Sequence, residues 1–254
     1  MSAVAWDVDG TLVDSEPLHL RALQAVCRDH GVDLADFGPM PFVGVAISDV
    51  WRLLAPRFGA TRQAGGGGEE SAQERDFRAA VRAQYRQGAH MLQARPGALV
   101  RVKRLAARGV RQCAVSSSER DIVEASLQSL GLRRAFEFLV TLDDVERPKP
   151  DPEPYRRAVV RLGLPAAAIW AVEDSPSGLA SAHAAGLPTV LVTDSPDAAK
   201  AWGSNATRVC ASLLELGDDW PPAADALPSG DFPMPMPYDP DTRRNESHNA
   251  GGSR

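Results

Sequence analysis

The chain has few cysteines and no long apolar run, and both shortages exclude whole classes of protein. Its three cysteines, Cys27, Cys113 and Cys210, lie far apart along 254 residues. An odd number without close spacing predicts neither a disulfide framework nor a cysteine metal site. No stretch reaches the ~18–20 apolar residues of a membrane span, and residues 1–11 lack the features of a signal peptide. We therefore expect a cytoplasmic protein that has no membrane partner.

The chain also has no excess of basic residues. The chain carries 28 lysines and arginines against 33 acidic residues, which gives a formal net charge of −5 at pH 7. Proteins that bind nucleic acid usually present a basic surface to the phosphate backbone. We therefore expect a small-molecule ligand and no nucleic acid. The chain is expected to act as a monomer or a weak dimer.

An apolar run at residues 4–8 ends in two acids and a glycine. Such a run predicts a strand buried on both faces of a parallel sheet. Ligands of open α/β sheets bind beyond the carboxyl ends of the strands, where Asp7 and Asp9 would lie. Gly10 permits the turn that follows. The two carboxylates are candidates for a nucleophile or a metal ligand, although Asp-Gly is also common in ordinary turns.

Three later segments strengthen the functional interpretation. A short apolar run ends in serines at 116–118, just before a helical pattern. The free amides at the start of a helix bind anions well. Ser116 is expected to face the ligand and Ser118 to cap the helix. A loop with alternating prolines braces Lys149. A third apolar run ends in Glu173 and Asp174, with a proline-started helix behind it.

These motifs, in this order, resemble the haloacid dehalogenase-like hydrolases, in the branch that includes β-phosphoglucomutase and phosphoglycolate phosphatase. The resemblance covers roughly residues 3–195 and rests on Asp-x-Asp-Gly-Thr, a strand-end serine, Lys-Pro-x-Pro and Glu-Asp-Ser-x-x-Gly. It implies an α/β fold, a doubly wound parallel sheet with a Rossmann-like core and an inserted all-helical cap. The predicted divisions are a core at 1–16 and 96–216, a cap at 17–95, and a proline-rich, poorly ordered tail at 217–254.

The resemblance also implies a role for each motif. Asp7 would be the nucleophile that forms an aspartyl-phosphate, and Asp9 the general acid and base. Lys149 would neutralise charge and orient the nucleophile, and Ser116 would bind a phosphoryl oxygen. The remaining predicted contacts to the substrate are Thr11, Ser117 and His19. Thr11 could instead only close the turn, and His19 is as readily a packed helix residue.

A divalent cation follows from the charge balance of the predicted site. Four carboxylates beside a phosphate cannot all ionise without a compensating charge. Oxygen ligands around a phosphoryl group favour Mg²⁺. By resemblance, Asp7 and Asp174 would bind it directly, Asp9 through its main-chain carbonyl and Glu173 mainly through water.

The segment between the first two motifs has amphipathic patterns that predict helices near 17–30, 46–58 and 72–87, with hinges near 14–17 and 95–97. Glycines 65–68 predict a loop between these helices. Beyond the third motif, a strand is predicted around 207–210 and a short helix at 212–216.

The resulting prediction is a Mg²⁺-dependent phosphatase that acts on a small phosphorylated metabolite, with a sugar phosphate as one candidate. A β-phosphoglucomutase-like phosphotransferase is the first alternative. Mutases of that type carry an arginine where this chain has Ile47, so Arg52 or Arg78 would have to replace it. A non-catalytic protein that binds a phosphorylated metabolite is the second alternative. If the lysine motif were aligned with the chain in a different register, Arg147 would take the role of Lys149.

Overall fold

A computed structural model of the chain describes residues 2–37, 42, 47–59 and 71–222. Its centre is a six-stranded parallel sheet with the order β5-β4-β1-β6-β7-β8. A separate antiparallel pair joins β2 to β3. The strands are β1 (Ala3–Trp6), β2 (Val13–Asp14), β3 (Gln93–Ala94), β4 (Arg111–Val115), β5 (Leu139–Val140), β6 (Ile169–Glu173), β7 (Thr189–Val192) and β8 (Arg208–Cys210).

Helices cover both faces of this sheet, as the predicted doubly wound class requires. The described residues contain α1 (Glu16–Asp29), α2 (Ile47–Leu54), α3 (Ala72–Gly88), α4 (Ala98–Ala107), α5 (Arg120–Ser129), α6 (Glu153–Leu162), α7 (Pro176–Ala184) and α8 (Pro196–Trp202). None of the helices in these described segments is long and apolar enough to cross a membrane.

The alternation of side chains along β1 explains why the strand is apolar throughout. Val4 and Trp6 belong to the core cluster that also contains residues of α4 and α5, whereas Ala3 and Ala5 belong to the cluster formed with α6 and α7. Successive residues of a strand point to opposite faces, so a strand covered on both sides needs an unbroken apolar run. All four side chains of β1 are fully buried.

The position of β1 brings the predicted motifs together. It pairs in parallel with β4 on one side and with β6 on the other. The carboxyl ends of these three strands therefore meet at one edge of the sheet. That edge receives Asp7, Ser116 and Asp174, the three residues that the order of the motifs predicts to converge there.

The segment between β2 and β3 contains the predicted helices, with small differences at their ends. α1 and α3 lie within about one residue of the predicted bounds. The second pattern, predicted as one helix at 46–58, forms α2 and then a 3-10 turn, Ala55–Phe58. Pro56 explains the break because its nitrogen has no hydrogen to donate to the α-helical ladder. The predicted glycine loop at 65–68 lies outside the described residues.

The two predicted hinge segments lie next to each other. β2 and β3 pair antiparallel, with Val13 opposite Ala94 and Asp14 opposite Gln93. The chain thus enters and leaves the inserted segment through one short ribbon. The division into core, cap and tail, and the role of these segments as hinges, stay predictions.

The first six residues of the predicted tail, 217–222, are an exception to the predicted lack of order. Trp220 is buried, and its ring lies 6.0 Å from the rings of both Trp6 and Trp170. Arg101 donates a 2.7 Å hydrogen bond to the Gly217 carbonyl. Burying a large aromatic side chain is favourable enough to order a short segment. The rest of the predicted tail lies outside the described residues.

Candidate active site

Lys149 is the centre of the site. Its Nζ donates to Asp7 Oδ1 at 2.8 Å, to Glu173 Oε1 at 2.6 Å and to the Val115 carbonyl at 2.8 Å. The side chain is only 3% exposed. Its three donors therefore have three acceptors, which a buried ammonium group requires. The proline-rich loop delivers this lysine to the carboxyl ends of β1, β4 and β6.

The second oxygen of Asp7 has no such partner. Asp7 Oδ2 is buried and makes no hydrogen bond among the described residues. Ligand atoms of Asp7, Glu173 and Asp174 lie within 4.8 Å of one another. Buried polar atoms are normally hydrogen-bonded, so an orphaned carboxylate oxygen beside two other acids calls for an additional positive group. Oxygen donors of this kind fit Mg²⁺.

Two of these acids, Asp7 and Asp174, have pKa values above their usual range, mainly because they are buried and partly because other acids lie close to them. Burial raises the pKa of Asp7 well above its usual range; Lys149 opposes the shift, and Glu173 and Asp174 add to it. Burial and then Glu173 raise the pKa of Asp174 to about 7. Burial would lower the pKa of Lys149, but Asp7 and Glu173 raise it above its usual range. Lys149 thus stays charged, but its single positive charge does not balance the negative charge of all the acids around it.

Asp9 has a different environment. Its Oδ2 accepts from Ser118 Oγ at 2.8 Å and from Ser116 Oγ at 3.2 Å. His19 Nε2 lies 3.8 Å from its Oδ1, which is too far for a hydrogen bond. Burial would raise the pKa of Asp9, but His19, Ser15 and Ser118 together lower it to about 2. The two acids of the first motif are therefore tuned in opposite directions.

Two glycines leave room for the acids. At Gly10, whose φ of 85° side-chain-bearing residues rarely adopt, an added Cβ would overlap the carboxylate of Asp174. At Gly178, in α7, an added Cβ would overlap the carboxylate of Glu173. Gly178, the glycine of the third motif, therefore lets α7 pack close to Glu173 at the end of β6.

Replacing Gly178 by alanine tests this close approach. The methyl group would push the Glu173 carboxylate away from Lys149, and a misplacement of about 1 Å in a site can cost about 10²-fold in rate. We expect Gly178→Ala to lower kcat by about that factor in a phosphate-ester assay. Gly217→Ala is the control, because an added Cβ there meets nothing within 4 Å. Equal activity of the two variants would contradict the expected displacement.

The structure corrects the predicted role of Ser118. The N-cap residue of α5 is Glu119, and Ser118 makes no cap: its hydroxyl donates to Asp9. The strand-to-helix turn is one residue longer than the sequence pattern indicates, so Ser118 faces the site together with Ser116. Ser116 is buried, and its Oγ also accepts from the Ser118 amide at 3.0 Å.

The three predicted substrate contacts differ in their positions. His19 lies beside Asp9 and is partly exposed. Ser117 is exposed at the turn after β4. Thr11 is fully buried, and its Oγ1 has no hydrogen-bond partner among the described residues. Their binding of substrate stays a prediction, as do the roles predicted for the other residues of the site.

The alternative register for Lys149 is wrong. Arg147 has a 69% exposed side chain and lies near Asp151 and Glu153, at 3.4 and 3.7 Å, on the surface. Only Lys149 of the two enters the site.

Sequence reasoning missed Tyr155. Its hydroxyl donates a 2.5 Å hydrogen bond to Glu173 Oε1, and Lys149 Nζ lies 5.3 Å from the centre of its ring. Burial and then the charge of Glu173 raise the pKa of Tyr155 well above its usual range, so the hydroxyl keeps its proton and can donate. An apolar position in the first turn of α6 was the only available signal, and it indicates packing as readily as hydrogen bonding.

Buried acids around one lysine, at the carboxyl edge of a doubly wound sheet, are typical of a catalytic site. The family model described as haloacid dehalogenase-like hydrolase matches residues 1–186. The chain belongs to this family, as the resemblance of its motifs predicted.

Two relatives and one solved structure are each similar to three quarters of the chain or more. The protein CbbY of Rhodobacter capsulatus is 32% identical over 201 residues, which are 75% of this chain and 85% of CbbY. A phosphoglycolate phosphatase of Cupriavidus necator is 32% identical over 199 residues, covering 75% and 80% of the two chains. The structure of CbbY from Rhodobacter sphaeroides in complex with phosphate has a TM-score of 0.68 at 26% identity, with 85% of this chain and 96% of that one covered.

Proposed function

We propose that the chain is a Mg²⁺-dependent phosphatase that hydrolyses a small phosphorylated metabolite through an aspartyl-phosphate on Asp7. The observation that carries the proposal is the asymmetry of Asp7: Lys149 holds Oδ1, while Oδ2 is buried without a partner among the described residues. A carboxylate held by one oxygen presents the other as a nucleophile or a ligand. The hydrolase family and the phosphatases among its relatives support this choice.

In this proposal Asp7 attacks phosphorus, and the bond from phosphorus to the leaving oxygen breaks. Asp9 gives a proton to that leaving oxygen and then takes one from the water that cleaves the aspartyl-phosphate. A pKa of about 2 keeps Asp9 ionised at neutral pH, and the ionised carboxylate is the form that can accept a proton in the second half of this cycle. The arriving phosphate is a like charge near Asp9 and raises its pKa, which suits the first half. Ser116 and Lys149 hold the phosphoryl oxygens and the nucleophile in place.

The acids of the site have the chemistry that Mg²⁺ needs. Asp7 and Asp174 would hold the ion directly, with the Asp9 carbonyl and, through water, Glu173 as further ligands. When bound, Mg²⁺ supplies positive charge that lowers the pKa values of Asp7 and Asp174 and stabilises the charge developing on the phosphoryl group.

The substrate is proposed to be a small phosphate ester, with a sugar phosphate as one candidate. A Rhodobacter sphaeroides CbbY variant with a TM-score of 0.70 and 25% identity was crystallised with xylulose-(1,5)bisphosphate, which supports this class. The three cysteines are unpaired and buried. This fits the proposed cytoplasmic location, because disulfides are rare in reducing compartments.

The mutase alternative receives no support from the arginines that it needs. Arg52 lies on the exposed side of α2 and pairs with Asp49. Arg78 is bonded to Glu119 at 2.5 Å. Ile47 packs against the apolar core, so it offers no charge for a second phosphate.

The proposal is tested by assaying a panel of phosphate monoesters with Mg²⁺ present or chelated. We expect turnover of at least one sugar phosphate that chelation abolishes and added Mg²⁺ restores. Undiminished turnover after chelation would contradict the metal requirement. No turnover across the panel would favour the non-catalytic binding protein.

Metal binding also has a readout that does not depend on activity. A ligand that binds only the folded state stabilises it by about 2.7 kcal/mol at one hundred times its Kd. We expect saturating Mg²⁺ to raise the free energy of unfolding of the wild type by that order. Asp174→Asn should lose this gain, whereas Asp197→Asn, in the exposed first turn of α8, should keep it. Equal gains in both variants would exclude Asp174 as a ligand.

A further inference from the structure

Two arginines of α3 share one carboxylate at the start of α5. Glu119 Oε1 accepts from Arg78 Nη2 at 2.5 Å and lies 2.7 Å from Arg82 Nη1. The side chains are 12% exposed for Glu119, 20% for Arg78 and 34% for Arg82. Ion pairs that are partly withdrawn from water respond more strongly to the loss of one partner than fully exposed pairs do. We call these three residues the clasp.

Glu119 is an unusual residue for its place. It is the N-cap residue of α5, where serine, threonine, aspartate or asparagine would accept a hydrogen bond from the first turn. Its side chain makes no such bond. The carboxylate is directed to the arginines instead, and the hydrogen bond that it accepts raises the pKa of Arg82. The N-cap residue of α5 therefore contacts α3 of the inserted segment instead of capping its own helix.

The contact between α3 and α5 continues beyond the clasp. Asp121 Oδ2 lies 3.9 Å from both Arg82 Nε and Arg86 Nη1. The Tyr85 hydroxyl lies 2.9 Å from Ser126 Oγ, and both side chains are fully buried. The clasp arginines and Arg86 recur every four residues, so they occupy one face of α3. That face is complementary in charge to the start of α5.

The same contact reaches Asp9 from two directions. Glu119 directly follows Ser118, whose hydroxyl donates to Asp9. On the other side, the ring of Tyr85 lies 4.4 Å from the ring of His19, which in turn lies 3.8 Å from Asp9. Both routes are short and pass through buried or partly buried groups. A shift of α3 relative to α5 would disturb the groups around Asp9.

We propose that Glu119 is a positioning residue: the clasp seats α3 on α5 and thereby holds residues 116–118 in the arrangement that supports Asp9. The inference rests on the proposed function, in which Asp9 is the acid and base. It adds that the position of α3 on α5 and the arrangement of the groups that contact Asp9 change together. Arg78 and Arg82 would act through Glu119 and would not touch the reacting atoms.

Glu119→Gln tests the proposal, with Glu124→Gln as the matched control. Glu124 lies on the same helix, is 37% exposed and is 3.9 Å from Arg133, away from the clasp. With para-nitrophenyl phosphate and Mg²⁺, we expect Glu119→Gln to lower kcat about tenfold, because the effect of positioned proton transfer is typically ~10²–10⁴-fold and would be lost only in part. KM should change less than kcat. Glu124→Gln should match the wild type.

Hydrogen exchange gives a second readout, which needs no activity. We expect the amides of α3 and of residues 116–119 to exchange faster in Glu119→Gln than in Glu124→Gln. Arg82→Gln combined with Glu119→Gln should be less than additive in kcat, since both remove the same contact. An unchanged kcat, or unchanged exchange at 116–119, overturns the proposal. If the wild type hydrolyses no phosphate ester, the proposed function fails, and the exchange result alone decides whether the clasp holds α3 in place.

Discussion

Asp7→Asn is expected to abolish phosphate-ester turnover, by at least about 10⁴-fold in kcat. An amide does not attack phosphorus to form the acyl phosphate, and loss of the nucleophile in a catalytic unit removes nearly all of its rate enhancement. The fold should survive, because the amide is almost the same size as the carboxylate and its oxygen can still accept from Lys149. The measurement is steady-state turnover of the best substrate of the panel, with circular dichroism as a check on folding.

A trapping experiment distinguishes the nucleophile from a residue that only binds metal. The wild type, quenched in acid during turnover, should carry one phosphoryl group on the peptide that contains Asp7. Asp7→Asn should carry none, and Asp197→Asn, on exposed α8, should behave as the wild type. A phosphoryl group on another residue would contradict the proposed mechanism.

Lys149→Met is expected to produce the largest combined loss of stability and activity. It removes the cation between Asp7 and Glu173 while it keeps most of the buried side-chain volume. Breaking a buried pair by removing one partner typically costs about 3–5 kcal/mol, because the remaining charge is left uncompensated. We expect a decrease of that order in the free energy of unfolding, measured in denaturant, and an almost complete loss of kcat.

Lys103→Met is the control for this substitution, because Lys103 is exposed on α4. It should change the free energy of unfolding by about 0.5 kcal/mol or less. Mg²⁺ should recover part of the stability that Lys149→Met loses, since it would compensate the same acids. If Lys149→Met were as stable as Lys103→Met, the buried network would not be a source of stability.

The candidate site was predictable to the extent that its chemistry is concentrated at the ends of strands. Asp7, Lys149 and Glu173 could be named because apolar runs and prolines indicate where strands end and where a loop is rigid. Tyr155 and Glu119 could not be named. Their partners lie on other elements, and a tyrosine in a first turn or a glutamate before a helix has the same local pattern whether or not it makes such a contact.

The sequence by itself determined the class of fold, the order of the motifs and the residues that meet at the carboxyl edge of the sheet. Local backbone preferences and apolar patterning are properties of neighbouring residues, and a parallel sheet converts them directly into positions. Only the tertiary structure decided that Ser118 serves Asp9, that Trp220 packs between Trp6 and Trp170, and that Glu119 holds two arginines of α3. Each of these contacts joins distant parts of the chain, and its geometry depends on how whole helices pack against the sheet.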